Sequence, residues 1–333
     1  MIDDVMLRAA APKLAQIQRP VRDRLSGVVG ELRRIVLTDF PPIKGVNEHL
    51  LVARGKLFRP TLLLLANELA EHRHPRAVTL AAAVELVHLA TLVHDDSVDH
   101  SVLRRGMPTV NALWNHQTAV IMGDYLYSRA VSELAEVGDV ELIRILSQAA
   151  NDMSVGEMRQ LVSCDALEYT EAEYYLLIEC KTASLMSAAC AMGALSGAEQ
   201  WREPLARFGR HLGMAFQIAD DMLDYTQTEA VLGKPAGQDL REHKVTLPLI
   251  AALGEMDGPA RREVEAFFAD PEPSDDGITS IIGLVLKHGG LDYAVRKAQA
   301  FGEQARQALE AVPEGPATDA LHLAIEYVVD RRR

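Results

Sequence analysis

Two aspartate clusters of the same form, Asp95-Asp96-Ser97-Val98-Asp99 and Asp220-Asp221-Met222-Leu223-Asp224, lie far apart in this 333-residue chain. Each sits at one end of an apolar stretch of helical period. Residues four apart share a helix face, so Asp95 stacks on Asp99 and Asp220 on Asp224. Like charges stacked this way destabilise a helix unless a cation is expected beside them. A fold that uses both clusters must bring two helices together around a hard, oxygen-lined site of the kind Mg²⁺ prefers. Magnesium held by a few carboxylates keeps waters and completes its shell with substrate phosphates. The clusters therefore point to a Mg²⁺-dependent enzyme that handles a diphosphate.

Almost all of the chain has helical period. Apolar residues recur at that spacing over about 5–37, 61–73, 77–100, 113–135, 138–164, 171–197 and 202–228. Shorter stretches follow near 245–256, 258–269, 276–288, 291–311 and 316–330. Breakers fall between them at Pro41-Pro42, Pro75, Gly106 to Pro108, Gly233 to Gly237 and Pro271 to Pro273. No alternating run is long enough for a sheet, and no repeat of fixed period occurs. The expectation is an all-α chain, one domain over 1–333, with its largest helices bundled around a central cavity.

A net charge of −13 argues against non-specific binding to nucleic acid or anionic lipid. Cys164, Cys180 and Cys190 have no metal-ligand spacing and fit a reducing compartment. Met1-Ile2-Asp3-Asp4 carries the wrong sign for a signal peptide, and no apolar run approaches the ~20 residues of a membrane span. These features predict a cytoplasmic protein with at most transient membrane contact.

The basic residues sharpen the reading. Arg104 and Arg105 follow the first cluster within one short loop, and arginine grips phosphate oxygens in bidentate fashion. Lys56 and Arg59, in Gly55-Lys56-Leu57-Phe58-Arg59-Pro60, point to one side of a helical turn, with Pro60 suited to a first turn. Lys234 and Lys244 lie beyond the second cluster, and Lys181-Thr182 lies in an Ala- and Met-rich helix. That is enough cation for two diphosphate groups.

With these residues in place the chain resembles the trans-isoprenyl (polyprenyl) diphosphate synthases, and among them an octaprenyl-type, medium- to long-chain member. The resemblance rests on Gly55 to Pro60, Glu85-Leu86-Val87-His88, and His94 to Asp99 with Arg104-Arg105-Gly106. It continues through Gly123-Asp124, Gly156-Glu157 with Gln160, Lys181-Thr182 and Phe216 to Asp221. Gly233 to Pro248 and Tyr327 to Arg331 close the series. This ordered set spans nearly the whole chain and is far more specific than one Asp-rich motif.

The resemblance implies the isoprenoid synthase fold, a homodimer and several Mg²⁺ ions. It implies head-to-tail condensation of isopentenyl diphosphate with an allylic diphosphate, farnesyl or geranylgeranyl. Asp95, Asp99 and Asp220 would hold Mg²⁺, with Asp96, Asp221 and Asp224 as further ligands or their supports. Arg104, Lys181, Thr182, Gln217, Lys234 and Lys244 would hold the allylic substrate; Lys56, Arg59, His88 and Arg105 would hold isopentenyl diphosphate. The chain departs from the pattern at Leu57, where a second basic residue is common, and at His243, where glycine is usual.

Product length is expected to depend on the helix before Asp95. Ala90 and Thr91, then Val87, lie roughly 6 to 12 Å below the metal site by helical rise. Short-chain members block this level with an aromatic ring. The small Ala90 and Thr91 leave it open, and Tyr127 is a candidate for a lower floor. The expected product is therefore longer than geranylgeranyl diphosphate.

Other readings account for less of the pattern. A farnesyl or geranylgeranyl diphosphate synthase needs the same site and a closed tunnel. A terpene cyclase usually replaces the second cluster and lacks the second basic set. His94-Asp95 alone suggests an HD-type phosphohydrolase but leaves Asp99 and the second cluster unexplained. A non-catalytic subunit of a heteromeric synthase typically loses Asp residues that are complete here. Taken singly, His88 reads as a core histidine, Ala90 and Thr91 as close helix packing, and Arg331-Arg332-Arg333 as favourable charge at a helix end. Lys181-Thr182 is no P-loop, since no glycine-rich loop precedes it.

Overall fold

The computed structural model describes residues 13–52, 55–69, 76–162, 167–226 and 237–330. After short turns at Leu14–Ile17 and Arg19–Val21 come α1 (Arg22–Ile35), α2 (Pro41–Val52) and α3 (Phe58–Glu68). The central helices are α4 (Ala77–Val98), α5 (His116–Val137), α6 (Val140–Val162), α7 (Glu171–Leu195) and α8 (Arg202–Thr226). A smaller set closes the bundle: α9 (Leu247–Glu255), α10 (Gly258–Ala269), α11 (Asp275–Lys287), α12 (Gly290–Leu309) and α13 (Pro316–Val329).

Side-chain size decides which helices run through the middle. α4 is buried nearly all round, from Leu80 through Ala81, Ala82, Ala83, Val84, Leu86 and Val87 to Val93. A helix apolar on every face must be surrounded, and α4 packs against α1, α3 and α5. The outer helix α12 is amphipathic and packs on α8 and α13, with its small residues Ala294, Ala298, Gly302 and Ala305 buried and Gly302 against Ile325 and Val329 of α13. α7 packs on α3, α6 and α8. Local signals set the ends: Asn115 accepts the Thr118 N–H to start α5, a Thr170–Glu173 capping box starts α7, and Gly138 at φ +81° stops α5.

Three local features differ from the sequence expectation. Pro41 and Pro42 do not break the chain; they form the first turn of α2, where a missing N–H costs nothing. Gly106 belongs to a small antiparallel hairpin pairing Leu103 with Pro108 and Arg104 with Met107. Within α7, residues Glu179–Ala183 form a π-helical turn. Such a turn inserts one extra residue and re-aims the side chains that follow.

Two helices, Ala77–Val98 and Glu171–Leu195, are long and apolar enough to cross a membrane by length and composition, contrary to the expectation that no apolar run reaches that length. Their most apolar windows are 67% and 61% buried within the bundle, which is the packing of core helices.

Candidate active site

A cavity of about 620 Å³ opens where the ends of α4 and α6 face α7, α8 and the segment before α9. Asp99, Lys181, Gln217, Asp221, Asp239 and Lys244 are among its lining residues.

The first cluster ends α4. The Asp99 N–H donates to the Asp95 carbonyl at 2.8 Å, which places the two carboxylates one turn apart. Burial pushes the Asp95 carboxyl up to about 6, against the pull of Lys181, whose Nζ lies 3.9 Å away. A half-buried carboxylate whose charge is disfavoured in this way is suited to a cation. Asp96 turns the other way, and Arg104 Nε donates to both of its oxygens at 2.7 and 2.9 Å. Arg104, expected on the allylic diphosphate, is thus paired with an expected metal ligand. Asp99 Oδ2 accepts from Lys244 Nζ at 3.3 Å, and Lys244 also meets Glu242 at 2.6 Å. Burial alone would lower the Lys244 pKa; Glu242 and Asp99 outweigh it and raise it.

The second cluster rides on α8. Asp220 is half-buried and within electrostatic reach of Arg59. Asp221 is 7% exposed, accepting from Tyr174 Oη at 2.6 Å and Gln217 Nε2 at 2.7 Å. Asp224 is 3% exposed, and its Oδ2 accepts the Asp239 N–H at 2.9 Å, fixing the turn Gln238–Arg241. Asp221 and Asp224 thus hold protein donors. Gly213 lets the π-turn reach α8, since a Cβ there would lie 2.5 Å from Ala183 Cα. The turn carries Lys181, which donates to Glu157 at 2.5 Å and Gln160 at 3.1 Å, and Thr182, which donates to Gln217 Oε1 at 2.7 Å.

The second basic set gathers nearby. Arg59 Nη1 lies 3.1 Å from His88 Nε2, and Arg105 lies over Gly55, where a Cβ would come within 2.8 Å of its guanidinium. Lys56 Nζ donates to Tyr327 Oη at 3.4 Å. Buried Glu85 faces both arginines; burial raises its pKa while their charges oppose the rise. Burial and the charges of Arg59, Arg105 and Arg104 push His88 well down, so its imidazole is neutral. Among the described residues no three His, Cys, Asp or Glu side chains converge as a metal-ligand set. A Mg²⁺ site completed by water and diphosphate oxygens requires no such convergence.

The sequence profile described as polyprenyl synthetase matches residues 41–285. The chain belongs to this family. It is 41% identical over 291 residues to an all-trans-nonaprenyl-diphosphate synthase (geranyl-diphosphate specific) of Rhodobacter capsulatus, covering 87% of this chain and 89% of that one. It is 33% identical over 297 residues to an octaprenyl diphosphate synthase of Haemophilus influenzae, covering 88% and 90%. A crystal structure of polyprenyl synthase from Caulobacter crescentus, complexed with calcium and isoprenyl diphosphate, superposes with a TM-score of 0.92 at 33% identity, covering 98% of this chain and 100% of that one. As a polyprenyl synthetase the chain is a prenyltransferase, and its all-α bundle is the isoprenoid synthase fold.

Within this polyprenyl synthetase, Val87 and Ala90 are buried in the main core with Leu126. Thr91 is half-buried and donates to the His88 carbonyl; Tyr127 is half-buried against the core. His94 Nε2 sits 3.0 Å from the Val120 carbonyl, and Gly123 makes room for the ring. Lys234, Arg331-Arg332-Arg333 and Cys164 lie outside the described residues. The sequence motifs do not single out Tyr174, Asp239 or Glu242. Tyr174 lies seven residues before Lys181, two helical turns on the same face, and that spacing was its available signal.

Proposed function

We propose that this prenyltransferase condenses isopentenyl diphosphate head-to-tail with farnesyl or geranylgeranyl diphosphate, giving an all-trans polyprenyl diphosphate longer than geranylgeranyl. The observation that carries the reading is a basic set beside each aspartate cluster, Lys181 and Lys244 lining the cavity at the first and Arg59 within electrostatic reach of Asp220 in the second. Lys181 and Lys244 meet Asp95 and Asp99 on one side, while Arg59, His88 and Arg105 gather over Glu85 on the other. Two diphosphates can then be held at once with their reacting carbons between them.

Asp95, Asp99 and Asp220 would hold Mg²⁺, which supplies positive charge where pyrophosphate departs. Lys181, Lys244 and Thr182 bind the allylic diphosphate and strengthen their hold as its bridging oxygen gains charge. Arg59, Arg105, Lys56 and His88 orient isopentenyl diphosphate so that its double bond faces the allylic carbon. The Gln217 carbonyl and backbone carbonyls near Lys181 steady the allylic cation, and the departing pyrophosphate takes the proton. The growing chain runs down α4 past Thr91 and Ala90 toward Tyr127.

A homodimer fits the exposed apolar residues Val120 and Ile121 on α5 and Val155 and Met158 on α6, which a second copy would cover. The chain's acidic balance disfavours standing contact with anionic lipid, in keeping with a cytoplasmic enzyme that meets membrane only to release product.

The test is a product assay with purified protein, Mg²⁺, farnesyl diphosphate and labelled isopentenyl diphosphate, followed by sizing of the dephosphorylated products. A ladder passing well beyond geranylgeraniol is expected. A stop at geranylgeraniol would refute the open tunnel, and no incorporation with several primers would refute the catalytic reading in favour of a partner subunit.

A further inference from the structure

The hydrogen bonds around Gln217 run in one direction. Thr182 Oγ1 donates to Gln217 Oε1 at 2.7 Å, Gln217 Nε2 donates to Asp221 Oδ1 at 2.7 Å, and Tyr174 Oη donates to Asp221 Oδ2 at 2.6 Å. Four side chains from two helices thus form a continuous series across the cavity wall. Tyr174 is 1% exposed, Thr182 6% and Asp221 7%, so solvent competes little for any of these bonds.

We propose that Tyr174 is a positioning residue, which fixes through Asp221 the end of the Gln217 amide that faces the reacting carbon. This rests on the prenyl-transfer reading above. An amide is nearly symmetric in shape, and its two ends carry opposite partial charge. Both oxygens of Asp221 accept, Oδ2 from Tyr174 and Oδ1 from Gln217, so Oδ1 selects the NH₂ end and leaves the carbonyl toward Thr182. A developing allylic cation then meets the negative end of the amide dipole, preorganised before charge appears. A flipped amide would present its positive end at the same place. Asp221 performs this selection only while its own carboxylate is held, and Tyr174 holds it by the second oxygen.

The Tyr174→Phe variant keeps the ring and removes only the donor. Turnover should fall about tenfold, with the KM for each diphosphate and the half-saturating Mg²⁺ concentration within about twofold of the original, the signature of an interaction made in the transition state. A second readout does not depend on turnover: hydrogen exchange of the Gln217 side-chain NH₂ in glutamine-labelled protein, assigned by its loss in Gln217→Leu. It should be slow in the original protein and about tenfold faster in Tyr174→Phe. Unchanged turnover together with unchanged exchange would overturn the proposal and leave Tyr174 as packing. A shifted Mg²⁺ requirement would also overturn it, showing that Asp221 serves the metal. If the original protein makes no product, the functional reading fails separately, and the exchange measurement still decides whether Tyr174 holds the amide.

Discussion

Lys244 Nζ stands 3.3 Å from Asp99 Oδ2, joining the segment that follows the second aspartate cluster to the end of the first across 145 positions of sequence. The contact sets side by side the lysine proposed to hold the allylic diphosphate and a carboxylate proposed to hold Mg²⁺. Lys244→Gln removes the charge and keeps most of the length. A preorganised donor aimed at a departing anion contributes on the order of 10²–10³ in rate. The kcat/KM for the allylic diphosphate should therefore fall by about that factor at fixed Mg²⁺. A loss under threefold in steady-state assays would remove Lys244 from the diphosphate site.

His243 holds the same segment from behind. It adopts φ +54°, a left-handed conformation costly for a residue with a Cβ and suited to the glycine that the resemblance leads one to expect there. Its ring meets Phe267 and Phe268, and Nε2 lies 2.9 Å from the Asp270 carbonyl. His243→Gly relieves about 1–2 kcal/mol of backbone strain. It also loses a hydrogen bond of about 1 kcal/mol and gains unfolded-state freedom. The melting temperature should move by only a few degrees, while the KM for the allylic substrate rises several-fold because Lys244 is less firmly placed. An unchanged KM would mean that the bonds of Glu242 and Asp99 to Lys244 suffice.

The legible parts of this site are those whose chemistry is conspicuous in one dimension. Asp95 with Asp99, and Lys181, Lys244, Arg59 and Arg105, are charges that an apolar pattern does not explain. Periodicity placed α4 and α8 within two residues of their ends. The rest depends on partners brought in by folding. Asp221 looks like Asp220 until Tyr174 arrives from 47 residues away, and Asp224 looks like Asp99 until the Asp239 N–H caps it. The π-turn at Glu179–Ala183 adds one residue without disturbing the apolar pattern on either side. The sequence hides α2 because Pro41-Pro42 reads as a stop by composition and as a start by position.

Glu171 ties the start of α7 to α12. It accepts from Tyr175 Oη at 2.6 Å, Lys297 Nζ at 2.9 Å and Tyr293 Oη at 2.6 Å. Burial pushes its carboxyl up, and these three donors outweigh burial and hold it below its ordinary 4.5. A depressed carboxylate contributes stability above its unfolded pKa and loses it as the pH falls through the folded one. Glu171→Gln should cost about 1–2 kcal/mol in urea denaturation at pH 7. The difference from the original protein should shrink below pH 4.5. A difference that is constant with pH would assign the loss to packing instead.

Ala90 offers the sharpest test of how product length is set. It is 3% exposed, packed beside Val87 and Leu126 in the main core, and lies about 7 Å of helical rise below Asp95. A phenylalanine there must take space from its neighbours, at about 1–3 kcal/mol for an overpacked site. If the growing chain descends this side of α4, the ring also blocks it. Ala90→Phe should therefore melt earlier and end its ladder at shorter products, read by sizing the dephosphorylated alcohols. The two effects are separable, because a core position off the path would show the first alone. A variant that melts earlier and still makes the full ladder would place Ala90 in ordinary packing. Thr91, half-buried one turn below Asp95 with its hydroxyl on the His88 carbonyl, would then be the next position to block.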